Sequence, residues 1–302
     1  MRYKKIDEDG ARPFVKWAGG KGQILEEIRR KYPAELGKKI TKYAEPFVGG
    51  GAVLFDVLNK YAISEAYISD INRELIIAYT TIRDNVEELI RILNNIEQKY
   101  ISADEEKRKI LYYASRDRFN SLKLKHDNGI EISSLFIFLN KTCFNGLYRV
   151  NYSGLFNVPQ GSYKNPLICD KENLRIISGK LKRVEIICED YQLSRQFIDN
   201  KTFAYFDPPY RPLSITSSFT AYTKDGFSDK EQVELAKFID EMSYRGACVV
   251  ASNSDPKNLN SDDNFFDKLY QNHSIFRISA TRAINAVSSG RGQIKELLIT
   301  NY

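Results

Sequence analysis

An apolar run that ends at an acid and two prolines constrains this chain more than any other feature: Phe203-Ala204-Tyr205-Phe206-Asp207-Pro208-Pro209-Tyr210. Four consecutive apolar residues, rich in aromatics, fit a strand buried on both faces, and such strands belong to open α/β sheets. Ligands of those sheets sit beyond the carboxyl ends of the strands, which places Asp207 at the functional edge. Pro208 and Pro209 cannot extend a sheet ladder, and each drives the residue before it toward extended geometry. Asp207 therefore leaves the strand on a stiff backbone. Its carboxylate, the carbonyl of Pro208 and the ring of Tyr210 offer two hydrogen-bond acceptors and a stacking surface, a set that suits a planar group bearing an amino substituent. Taken alone, the same octapeptide also fits a strand running into a proline-rich turn with Asp as turn former.

Two further stretches bear on that choice. Thr41 to Gly51 reads as a strand followed by a hinge of three glycines, with a helix continuing through Val53, Leu54, Val57 and Leu58. Free amides in such a turn can face a carboxylate or phosphate, although the glycines do not spell the dinucleotide pattern G-x-G-x-x-G. A second apolar strand, Ala66-Tyr67-Ile68-Ser69, ends at Asp70. An acid about twenty residues beyond the glycines is placed to accept hydrogen bonds from ribose hydroxyls. Upstream, Trp17 stands beside Gly19-Gly20-Lys21, ahead of a helical pattern beginning near Gln23. Trp17 could cover a ligand, and Lys21 at a helix start could help hold an anion, but a plain structural turn fits as well.

From Arg73 to about Leu139 the pattern is mostly helical, with a charged break near Ser102 to Lys109. Asn140 to Tyr163 lacks helical periodicity and holds the turn dipeptides Asn145-Gly146 and Ser153-Gly154, so it reads as a loop with a short hairpin. Strands resume at Val184–Cys188, at the opening stretch, at Ala247–Asn253 and at a closing Glu296–Thr300. No repeat or flexible linker interrupts this order, so the loop region is an insert in an α/β core.

The formal net charge is +6, and all of it lies between Lys141 and Arg183, where eight basic residues face only Asp170 and Glu172. Cations interleaved with Phe144, Tyr148, Tyr152, Phe156 and Tyr163 are what a nucleic-acid surface requires, though a solvated charged face has the same composition. Cys143, Cys169, Cys188 and Cys248 are widely spaced and the only histidines are His126 and His273, so no metal is expected and the thiols read as reduced and mostly buried. Few histidines also disfavour a His base. At 302 residues the chain can bury a sizeable interior. No run is long enough to cross a bilayer and Met1–Asp9 is not a signal peptide, so a cytoplasmic address without membrane partners is expected.

Phe14-Val15-Lys16-Trp17-Ala18-Gly19-Gly20-Lys21, Glu45-Pro46-Phe47-Val48-Gly49-Gly50-Gly51, Asp70-Ile71-Asn72, Asn145-Gly146-Leu147-Tyr148-Arg149 and Asp207-Pro208-Pro209-Tyr210 together resemble the Dam-like DNA adenine methyltransferases. The resemblance runs in order over nearly the whole chain. It implies a Rossmann-like S-adenosylmethionine-dependent methyltransferase sheet, with residues 1–72 and 171–302 as catalytic core and residues 73–170 as a mainly helical, hairpin-bearing target-recognition insert. It implies S-adenosylmethionine as methyl donor, leaving as S-adenosylhomocysteine, and a flipped-out adenine in double-stranded DNA as acceptor, with GATC as the expected site.

By the same resemblance Trp17, Lys21, Phe47, Gly49, Gly51, Asp70, Ile71, Asp190, Tyr191 and Asp207 would contact the cofactor, while Asp207, Pro208, Pro209 and Tyr210 would be catalytic. Lys16, Phe144, Asn145, Leu147, Arg149, Asn151 and Pro159 would contact DNA, with Arg149 on a guanine edge, Lys16 on the outer guanine, and Phe144 and Asn145 near the extruded base. Ser162 departs from the family, whose members often carry Arg there. A monomer, with a cognate restriction endonuclease as a possible partner, completes the implied picture. The rival readings are the same chemistry at another short site, a cytosine, RNA or protein acceptor, or an inactive DNA-binding relative.

Overall fold

The computed structural model describes residues 10–211, 227–281 and 293–302; Met1–Asp9 lies outside them. The described strands are β1 (Lys42–Glu45), β2 (Glu65–Ser69), β3 (Val184–Ile187), β4 (Thr202–Phe206), β5 (Cys248–Ser254), β6 (Ser274–Thr281) and β7 (Gln293–Thr300). They form a seven-stranded sheet in the order β3-β2-β1-β4-β5-β7-β6. β1 runs parallel to β2 and β4, β4 runs parallel to β5, and β7 is antiparallel to both β5 and β6. Chain order moves outward in opposite directions from the β1/β4 pair, the switch point at which open α/β sheets place ligands. The fold is α/β, as expected, and β7 makes its sheet mixed.

By internal contacts the chain divides into two compact units. One comprises Met1–Gly20, Gly49–Lys60 and Asp70–Cys188, and the other Lys21–Val48, Tyr61–Ser69 and Glu189–Tyr302. The first holds the helices α2 (Ala52–Lys60), α3 (Arg73–Asp84), α4 (Val86–Ser102), α5 (Glu105–Leu124), α6 (Ile130–Thr142) and α7 (Lys171–Leu181). α6 is buried almost all round, including Phe136, Ile137, Phe138 and Leu139, and contacts α3, α4 and α5. The second holds α1 (Leu25–Arg29), α8 (Asp229–Tyr244) and α9 (Phe265–Leu269). Its centre is β4, where Phe203, Ala204, Tyr205 and Phe206 are fully buried.

Local chemistry shifts several expected boundaries. The charged break expected over Ser102 to Lys109 shrinks to Ala103 and Asp104, because the Asp104 carboxylate accepts the backbone N–H of Lys107 and Glu105 and Glu106 complement a helix N-terminus. The helix expected near Gln23 begins at Leu25, after a 3-10 turn over Lys21–Gln23. α6 carries the first residues of the expected loop into helix, as far as Thr142. β6, α7 and α8 went unread, although Leu174, Ile177 and Leu181 already show helical spacing. Of the thiols, Cys143 and Cys169 are buried but Cys188 is exposed.

Candidate functional site

In the second unit Asp207 stands directly after β4. Its Oδ2 lies 2.7 Å from Lys21 Nζ, and its Oδ1 accepts a 2.8 Å hydrogen bond from Ser252 Oγ at the end of β5. The Lys21 side chain is 6% exposed and that of Asp207 19%. Burial pushes the Asp207 carboxyl above its ordinary range, with the Lys21 ammonium and the Ser252 hydroxyl opposing the shift. Lys21, expected to meet an anion from a helix start, thus has the Asp207 carboxylate as partner. Ser252 also contacts Tyr205 Oη at 3.0 Å, so the carboxylate is oriented through the sheet interior.

The chain beyond Asp207 is fixed from several sides. Gln232 Nε2 donates to the Pro209 carbonyl at 3.1 Å, and Asn253 Nδ2 donates to Gln232 Oε1 at 3.0 Å. Tyr210 Oη donates to Glu296 Oε2 of β7 at 2.7 Å. Lys21 Nζ lies 4.6 Å from the centre of the Tyr210 ring, a cation–π distance. Ser252 and Asn253 were legible as polar residues ending a buried strand. Gln232 and Glu296 carried no sequence signal beyond being polar. In the same unit Phe47 and Tyr191 stack at 5.4 Å, and the exposed Asp190 caps the following turn by accepting the backbone N–H of Gln192.

The first unit builds a second cluster around the glycines. Gly49 and Gly51 have φ values of 47° and 73°, conformations that favour glycine. A Cβ on Gly49 would lie 2.8 Å from Trp17 Cδ1, so the half-exposed indole rests directly on the turn. Asp70 Oδ2 accepts the Gly49 N–H at 3.1 Å and its Oδ1 accepts the Asn72 N–H at 2.8 Å. Burial pushes the Asp70 carboxyl up, and these two N–H groups oppose it. Asn72 in turn caps α3 by accepting the Leu75 N–H. A turn bare of side chains beside a half-buried acid fits the amino-acid end and the ribose of a nucleoside cofactor. Ile71 is 58% exposed beside that acid.

The DNA candidates also lie in the first unit. Asn145 and Gly146 both have positive φ, at 56° and 64°, and Leu147 N–H bonds back to the Phe144 carbonyl, which is the tight Asn-Gly turn the dipeptide predicts. Antiparallel bridges at Cys143–Gln160 and Val150–Phe156 form the hairpin. Phe144 is 51% exposed, and its N–H is held by the carbonyl of exposed Pro159. Leu147 is half-buried and Arg149 exposed, with Arg149 Nε donating to Asn157 Oδ1 at 2.9 Å. The amide oxygen of Asn151 closes the hairpin turn by accepting from Ser153 and Leu155 N–H. Ser162 is exposed.

Lys16 is tied to this loop by a residue that sequence reasoning passed over. Asn140, 2% exposed, accepts the Lys16 N–H and donates to both the Lys16 and Gly146 carbonyls. A Cβ on Gly146 would lie 2.4 Å from Lys16 Cδ, so the lysine stem lies along the turn. Nearby Lys141 is pushed below its ordinary value by burial and by repulsion from Lys16. The basic field is narrower than the charge count suggests. Arg175 forks onto Glu87, while Lys180 and Lys182 donate to backbone carbonyls of Leu58 and Arg83.

Known proteins resemble this chain along most of its length. Residues 17–284 match the family described as D12 class N6 adenine-specific DNA methyltransferase. The Type II methyltransferase M.MjaIII of Methanocaldococcus jannaschii is 50% identical over 293 residues, covering 96% of this chain and 99% of that protein. The Type II methyltransferase M1.LlaDCHI of Lactococcus lactis subsp. cremoris is 38% identical, covering 100% of this chain and 99% of that protein. The DNA adenine methylase of Escherichia coli K12 is 32% identical, covering 95% and 94%. With a held carboxylate directly after β4, and with this similarity along its length, the chain belongs to the D12 class of N6 adenine-specific DNA methyltransferases.

Proposed function

We propose that this enzyme transfers a methyl group from S-adenosylmethionine to the 6-amino nitrogen of an adenine flipped out of duplex DNA, within GATC. The observation that carries the reading is the Asp207 carboxylate, ion-paired with Lys21 and bonded to Ser252, at the head of Asp-Pro-Pro-Tyr. S-adenosylmethionine, when bound, supplies an electrophilic sulfonium methyl. We assign its contacts to Trp17, Lys21, Phe47, Gly49, Gly51, Asp70, Ile71, Asp190, Tyr191 and Asp207. We assign DNA contacts to Lys16 and, within a recognition insert of residues 73–170, to Phe144, Asn145, Leu147, Arg149, Asn151 and Pro159. The remainder, residues 1–72 and 171–302, is the transfer core.

Flipping costs roughly a few kcal/mol in lost stacking and pairing, and the Tyr210 ring offers a surface that offsets part of it. The amino nitrogen is a poor nucleophile because its lone pair is delocalised into the purine. Asp207 and the Pro208 carbonyl accept its two hydrogens, which favours a tetrahedral nitrogen with a localised pair. Holding that nitrogen in register supplies the larger rate effect. The methylated nitrogen is strongly acidic, so no strong base is needed. Supporting the DNA assignment, Lys16 and Lys141 repel one another, and a phosphate would relieve them. A monomer working in the cytoplasm, alone or beside a restriction nuclease, accords with this chemistry.

Label transfer from methyl-labelled S-adenosylmethionine to duplexes with and without GATC tests the reading; no labelled adenine in any duplex would refute it. Arg149→Ala is expected to cost about 1–3 kcal/mol of discrimination at a single base pair. A methylation spectrum identical to wild type would remove Arg149 from base reading. The pH profile follows from Asp207, which must be ionised to accept the amino hydrogens. Because its pKa is raised, activity is lost as pH falls through a midpoint above the ordinary carboxylate value of 3.8. Lys21→Met removes the opposing charge and should move that acid limb further toward neutrality. An unmoved limb would dissociate Asp207 from the titration.

A further inference from the structure

We propose that Tyr148 couples cofactor occupancy to DNA site reading, as the positioning residue for Leu147 and Arg149. The inference rests on the assignment of Trp17, Gly49 and Asp70 to the cofactor and of Leu147 and Arg149 to DNA.

Tyr148 sits between the two base readers, yet it is only 6% exposed while Arg149 is exposed. In extended chain, neighbouring side chains take opposite faces, so burying Tyr148 puts Leu147 and Arg149 together on the other face, where Leu147 is half-buried and Arg149 exposed. Its ring stacks on Trp17 at 5.8 Å with planes 24° apart. Its hydroxyl donates to Glu74 Oε2 at 2.7 Å and accepts from Lys123 Nζ at 2.7 Å, and Lys123 also reaches Glu74 Oε2 at 2.8 Å. Both hydrogen-bonding functions of the phenol are therefore engaged by charged groups with little solvent access, which a plain packing residue would not need.

Both anchors of Tyr148 lead back to the glycine turn. Trp17 lies against Gly49. Glu74 is in the first turn of α3, whose cap Asn72 is held by Asp70, and Asp70 also holds the Gly49 N–H. The contacts close a circuit from Gly49 through Asp70, Asn72, Glu74, Tyr148 and Trp17 back to Gly49. A ligand that moves the indole or the Asp70 turn must move Tyr148, and with it the two readers, because packed interiors transmit displacement. Coupling of this kind is reciprocal, so cognate DNA would tighten the cofactor by the same factor.

The test measures duplex affinity for GATC and for a single-base variant, with and without S-adenosylhomocysteine, on the full chain. In the wild type the ligand should tighten the cognate duplex by about 5-fold or more. In Tyr148→Phe, which keeps the ring and loses the hydroxyl, the ligand-induced gain should be lost. Glu74→Gln combined with Lys123→Met, which removes the buried charges together, should lose the gain as well and serves if Tyr148→Phe does not fold. Variants that bind more weakly with the gain intact would make Tyr148 mere scaffold and overturn the proposal, as would a wild type without any gain. Label transfer by the wild type on the same duplexes reports separately on the methyltransferase reading.

Discussion

Asp207→Ala lowers the rate of methyl transfer by about 10²–10³-fold or more, the scale on which deleting one preorganised electrostatic contact acts, while duplex affinity survives. The contact matters only as the amino nitrogen localises its lone pair, so the loss falls on the single-turnover rate and not on DNA binding. The substitution also removes one side of the ion pair with Lys21, whose side chain is 6% exposed. Breaking such a pair from one side costs about 3–5 kcal/mol, so stability must be measured beside activity. Asp207→Ala combined with Lys21→Met should recover much of that stability with no return of methylation. Near-normal turnover in Asp207→Ala would remove the carboxylate from the chemistry, and recovery of activity in the double variant would reduce its role to folding.

Gly51→Ala has the largest expected effect on the fold itself. The residue has φ of 73°, and an added Cβ would stand 2.5 Å from Tyr79 Oη and 3.1 Å from Phe55 Cε2. The left-handed conformation costs about 1–2 kcal/mol for an L side chain, and forced overpacking about 1–3 kcal/mol. Tyr79 cannot simply retreat, since its hydroxyl donates to the Gly49 carbonyl at 3.0 Å. A total loss of about 2–5 kcal/mol in a urea titration is expected, with weaker S-adenosylmethionine binding. Gly179→Ala is the control. It lies within α7, and nothing stands within 4 Å of its added Cβ. That change should stabilise the chain by about 0.5–1 kcal/mol. Equal effects at the two positions would show that the turn geometry is not under constraint.

Much of the fold was legible because its signals are local. The apolar run of β4 and the prolines after it define a buried strand with an abrupt end, and the structure places Phe203 to Phe206 at full burial. Asn145-Gly146 specified its turn through backbone sterics alone. Boundaries were less legible where a side chain caps a backbone group, as Asp104 does at α5. β6 was missed because its alternation is weak, and its identity as a strand comes from eight paired positions along β7.

The sequence by itself determined which chemical groups are available: a carboxylate on a stiff turn, a run of glycines, an acid after β2, and a loop of Asn, Tyr and Arg. Each depends on covalent neighbours and short-range sterics, which the order of residues specifies. Only the tertiary structure decided which partners those groups take. Glu296 meets Tyr210 across 86 positions because β7 inserts antiparallel beside β5, and Asn140 clamps Lys16 across 124 because α6 ends beneath that segment. Nothing local distinguishes Glu74 from the chain's other carboxylates as the one that holds Tyr148. Such choices depend on distance and burial, and those exist only once the chain has folded.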